Sequence, residues 1–123
     1  MAWPDRLLGL AAALAGLLGV AASAAAVHTG AGQTLETSAR FMLFHAPALL
    51  AILALLATGR IRPLLGRLAG WTMVLGLALF SGDLALRSLE GVPLFAMAAP
   101  SGGILLMAGW GLAGAAALVP ARR

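Results

Sequence analysis

Six acids and imidazoles, with eight arginines, are all the charged or titratable side chains in this chain of 123 residues, which has no cysteine and no tyrosine. His28 closes the first apolar stretch, His45 sits early in the second, and Ser81 and Asp83 stand near the end of the third. If those stretches are helices of alternating direction, all four residues fall toward one side of a bundle. Two neutral imidazoles and a carboxylate form a donor set for Zn²⁺ or another divalent ion. The same groups suit proton handling or a quinone headgroup, because histidine titrates near neutral pH. An ionisable residue at membrane depth is costly and marks a functional site by default.

A plainer reading competes. His45 would donate to a neighbouring carbonyl or to Ser81, His28 would cap helix one at the headgroups, and Asp83 would pair with Arg87 four residues on. No ligand spacing motif links these residues, and His28 lies too near the water boundary for a buried haem. The expectation is no metal and no cofactor, with His28, His45, Ser81 and Asp83 retained as a candidate polar site. Pro100-Ser101-Gly102-Gly103 resembles a glycine-rich anion loop at a helix start. Ser101, Gly102 and Gly103 thus form a candidate headgroup loop, unless Ser101 simply caps the helix. Trp3 and Trp71 read as interface anchors, Trp110 lies deeper, and Met73, Met97 and Met107 read as ordinary packing. Gly-x-Ser-x-Gly, Walker and His-Glu-x-x-His patterns are all missing, so no catalytic residue and no enzyme is expected.

The elements that must position these residues follow from composition. Hydrophobic residues make up 62% of the chain and charged residues 10%, where a soluble domain carries about a quarter charged. A soluble globule is therefore excluded. Four spans are expected, at about 7–27, 41–58, 68–86 and 102–119, each near the length that crosses a core of about 30 Å. Residues 28–40 read as a polar connector in water or headgroups, with Thr37 or Ser38 capping helix two. Residues 59–66 form a short basic turn that forces helices two and three antiparallel, and Pro47 threatens a kink. Pro93, Pro100 and the glycines break the uncharged run from Gly91 to Ala121, leaving 92–101 as an interfacial or re-entrant piece. The expected architecture is a single all-α, antiparallel four-helix membrane domain. Gly16, Gly19, Gly66 and Gly70 stand at small-residue spacings that allow close helix approach.

Arginine placement gives an orientation. Arg6, Arg60, Arg62, Arg67, Arg122 and Arg123 fall on one side, and only Arg40 and Arg87 on the other. The positive-inside rule puts both termini in the cytoplasm. A net charge of +4 invites a nucleic-acid reading, but the arginines form no basic stripe with interleaved aromatics. Arg6 with Ala22-Ser23-Ala24 or Ala24-Ala25-Ala26 also fits a cleaved signal peptide, but the apolar run exceeds the usual length of about 7 to 15 residues, which favours a retained span. The expected partners are the lipid bilayer and either a second copy or a larger membrane complex in a bacterial inner membrane.

Several fragments, in order, resemble one family. Val27-His28 closes helix one, Phe44-His45-Ala46 opens helix two, and Leu79-Phe80-Ser81-Gly82 ends helix three. Pro100-Ser101-Gly102-Gly103 then leads into a helix carrying Gly109-Trp110. Together these resemble the small membrane proteins of the domain of unknown function 423 family, which includes transmembrane protein 256-like proteins. Ala22-Ser23-Ala24-Ala25 stands where the family tends to have Ala-Phe-Gly-Ala, and Asp83-Leu84-Ala85 where it has a Leu-Tyr pair. The resemblance implies a four-span fold and, because the family's function is unknown, says nothing of a reaction.

Overall fold

The structure is a computed structural model that describes residues 1–121. It contains four helices, α1 (Trp3–His28), α2 (Gly32–Ala57), α3 (Pro63–Glu90) and α4 (Ala98–Leu118), and no strand among the described residues. At 1.5 Å per residue they run about 32 to 42 Å, beyond the thickness of a hydrocarbon core. All four are long and apolar enough to cross a membrane. Large apolar side chains also point outward, and Leu17, Leu75 and Ile104 are each more than half exposed. That is the surface of a protein whose solvent is lipid. The chain is an all-α membrane protein built as a four-helix bundle.

Register follows from the close contacts. α1 and α2 run antiparallel, since Gly9 faces Leu53 and Gly19 faces Leu43. α3 and α4 do likewise, with Gly76 against Gly102 and Leu106, and Met73 against Gly109. The Asp5–Arg67 ion pair then places the starts of α1 and α3 at the same end of the bundle. Leu8, Leu49, Met73, Leu77 and Leu106 form the buried centre. Lipid is as apolar as leucine, so close van der Waals contact and interhelical hydrogen bonds hold such helices together, rather than exclusion from water.

The helices are longer than the sequence suggests, and the connections correspondingly shorter. Residues 32–40 are not a connector: α2 begins at Gly32, after a turn in which Gly30 and Gly32 take left-handed backbone conformations. Their polarity is amphipathic, since Leu35, Ser38 and Ala39 are buried while Gln33, Glu36 and Arg40 face outward. Neither Thr37 nor Ser38 caps the helix. α2 continues unbroken through Pro47.

α3 begins at Pro63 and ends at Glu90, where left-handed Gly91 closes it. The 92–101 segment is also divided differently. Only 91–97 is non-helical, and left-handed Met97 starts α4 at Ala98. Pro100 falls in the first turn, where a backbone N–H has no helical partner to lose, so it does not break the run. Ser101 does not cap α4 by its side chain.

Candidate functional site

The bundle buries its few polar side chains in separate knots, each tying two segments together. Ser38 on α2 and Ser81 on α3 are almost fully buried. The Ser38 hydroxyl donates to the Ser81 carbonyl at 2.7 Å, and the Ser81 hydroxyl returns a bond to the Ser38 carbonyl at 3.0 Å. One turn of α2 further, Phe41 packs on Phe80 with ring centroids 4.4 Å apart.

His45 occupies the next turn. Its Nδ1 lies 2.7 Å from the Phe41 carbonyl, and the indole N–H of Trp110 on α4 points at its Nε2 from 3.1 Å. A carbonyl only accepts and an indole only donates. Both bonds are satisfied together only by the tautomer that carries hydrogen on Nδ1. Nε2 therefore receives a bond with its lone pair, and no lone pair is left for a metal. His45 is a tie from α2 to α4, an arrangement that needs the aromatic partner 65 residues away.

Asp83 is fully buried on α3. Arg87 donates to one carboxylate oxygen at 2.8 Å, as the four-residue spacing suggests, and the Leu94 amide donates to the other at 2.7 Å. The second bond is the informative one: Asp83 folds the 91–97 connection back against α3. At the opposite end, Arg67 grips Asp5 with two bonds of 2.8 and 3.0 Å. This parallel, two-pronged geometry is specific to guanidinium. Among the described residues no buried side-chain nitrogen or oxygen lacks a partner.

His28 takes no part. It is the exposed last residue of α1, and the cap is made by Thr29, whose hydroxyl and amide both reach the Ala25 carbonyl. Among the described residues no group of three or more His, Cys, Asp or Glu could hold a metal ion. His28, His45 and Asp83 thus share no site, and each spends its polarity elsewhere or in solvent.

The small residues carry more of the architecture than sequence reasoning assigned them. An added Cβ would lie 2.9 Å from Leu43 at Gly19, and 2.7 Å from Leu8 at Gly70; at Gly66 it would meet Ile61 and Leu56 at 2.7 Å. Gly16 makes only an ordinary contact, 3.6 Å from Ala46. The tightest approaches are between α3 and α4, and they were missed. A Cβ on Gly102 would stand 2.5 Å from the Phe80 backbone nitrogen, and one on Gly109 2.5 Å from Met73. The signal was present in the seven-residue spacing of Gly102 and Gly109, which puts both on one helix face. Gly102 is consequently not part of a headgroup loop: it is a buried contact of α4 with α3, and Ser101 and Gly103 belong to the same helix.

The tryptophans divide by environment. Trp3 is exposed and carries the Arg6 guanidinium 5.5 Å above its ring. Trp71 packs against the core, and Trp110 presents its N–H to His45 while half its surface faces outward.

No solved structure matches the chain. The model of a family described as protein of unknown function (DUF423) matches residues 15–103, from the middle of α1 into the first turns of α4. His28, His45, the Ser38–Ser81 pair and Asp83 lie inside that segment, while Trp110 lies beyond it. With well over half of its length matched, this chain belongs to the DUF423 family.

Proposed function

We propose that this membrane protein acts without catalysis, by associating through its helices with a second copy of itself or with a larger membrane complex as an accessory subunit. Its place in this reading is the bacterial plasma membrane, with both termini in the cytoplasm. The orientation rests on Arg6, Arg60, Arg62 and Arg67 gathering at one end of the bundle, against Arg40 and Arg87 at the other. Arg122 and Arg123, counted with the first group in the sequence, lie outside the described residues.

The observation that carries the association is a lateral groove between α1 and α3. The two helices meet at their starts, where Leu8 packs on Gly70 and Asp5 pairs with Arg67. Further along they diverge and leave a cavity of about 540 Å³ floored by α2. Its walls are apolar and mix leucines such as Leu14, Leu18 and Leu77 with small residues, among them Ala22 and Ala25 on α1 and Gly82 on α3. Gly82 has nothing within 4 Å of where its Cβ would be. Small residues on a membrane helix let another helix approach closely, and here they line part of a slot that none of the described residues fills. The buried polar groups support the same reading, being committed to internal bonds.

Cross-linking in native membranes tests it. The chain has no cysteine, so Gly82→Cys introduces a single thiol in the groove, and Val20→Cys one on an outward face that is 63% exposed. A short bismaleimide should join two Gly82→Cys chains, or a maleimide–benzophenone reagent on the same thiol should join the chain to one defined larger subunit, and both should leave Val20→Cys as a monomer. Equal cross-linking of both, or of neither, would remove the groove as the contact.

A further inference from the structure

We propose that the end of the bundle at the α2–α3 turn binds the headgroup phosphate of anionic phospholipids, with Arg60 and Arg62 as the contacting cations. The pairing of the arginines leads there. At the far end of the bundle each arginine is matched within its own helix, Arg40 with Glu36 at 3.1 Å and Arg87 with Asp83 at 2.8 Å. That end also carries Glu90 as a further acid. At the near end the one acid is Asp5, and Arg67 occupies both of its oxygens. Arg6 donates to the Met1 carbonyl and lies over Trp3. Arg60 and Arg62 have no acid and no side-chain hydrogen bond among the described residues. Among the described residues the guanidinium groups of Arg6, Arg60 and Arg62 thus stand at one end with no acidic side chain paired to them.

The local surface selects a lipid over a soluble anion. Ile61 anchors the turn, buried against Gly66, so the flanking arginines are held within a turn of two membrane-crossing helices. A cavity of about 440 Å³ is lined by Arg62, Pro63, Leu64 and Leu65. Leu64 is 70% exposed, and Leu68 follows one turn deeper on the same helix. A cation next to an outward leucine column matches a phosphate that continues into hydrocarbon, whereas free phosphate would use only the first. Attraction of a basic juxtamembrane residue to anionic lipid amounts to about 5-fold in affinity, so two arginines give roughly 25-fold.

The test uses the full chain in a non-ionic detergent, offered equimolar phosphatidylglycerol and phosphatidylcholine with identical tails. Bound lipid is counted by native mass spectrometry. The wild type should retain phosphatidylglycerol over phosphatidylcholine by roughly 25-fold. Arg60→Gln with Arg62→Gln should abolish that preference at unchanged helix content, and Arg40→Gln should leave it intact. Millimolar inorganic phosphate should not displace the lipid. Equal retention of the two lipids, a preference that survives the double substitution, or displacement by inorganic phosphate would each overturn the proposal.

Discussion

His45 and Trp110 meet through a bond that costs neither helix its own ladder, because the His45 nitrogen and the indole N–H are both side-chain groups. An interhelical side-chain bond of this kind contributes about 0.6 kcal/mol in a membrane, and up to about 1.7. A double-mutant cycle over His45→Ala and Trp110→Phe, followed by unfolding in a mixed detergent, should therefore return a coupling between about 0.5 and 1.5 kcal/mol. A coupling of zero would mean the two side chains are not bonded. The sequence marks His45 as the one titratable residue deep in a span, and it marks the Asp83–Arg87 pair by spacing. Trp110 was not legible as the partner of His45, nor Ser38 as the partner of Ser81. Both pairs are set by the register between helices, and no local pattern in either helix encodes that register. Asp83 illustrates the same limit: its partner four residues away was visible, and its bond to the Leu94 amide eleven residues away was not.

Among the helices, the α3–α4 seam is the most demanding contact, since backbone meets backbone there. Gly102→Ala would press a methyl group onto the Phe80 nitrogen at 2.5 Å and the Gly76 carbonyl at 2.7 Å. Overpacking of this kind costs about 1–3 kcal/mol, and a fall in the thermal midpoint in detergent would show it. Gly111→Ala is the matched control: it lies on the same helix with open space around it. It should be neutral or gain up to about 1 kcal/mol from helix propensity. Equal losses in the two variants would contradict the seam. The number and order of helices were legible because each long apolar run must cross the core as a helix. Their ends were not, because polar residues read as loop also suit a helix face that stands in water. Gln33, Glu36 and Arg40 are such residues, on the same turns as buried Leu35 and Ala39. Pro100 misled for a related reason: proline breaks a helix interior but is tolerated in a first turn.

The molecule as a whole spends its polar chemistry on holding itself together and leaves two surfaces uncommitted: the apolar groove between α1 and α3, and the arginine end of the α2–α3 turn. Neither was legible as a surface. The groove exists only because α1 diverges from α3 beyond Leu8 and Gly70, and the free arginines stand out only once the acids have been matched. The central claim is that this protein works as part of an assembly in the membrane, and mass tests it most directly. The particle should be extracted into native nanodiscs, without detergent exchange, and weighed as wild type and as Gly82→Leu. The leucine would fill the groove without meeting any atom of this chain at its Cβ. The account predicts a wild-type protein mass that is a multiple of 12.3 kDa or includes a second subunit, falling to a single chain in Gly82→Leu. A wild-type particle holding one chain and no other protein would contradict it.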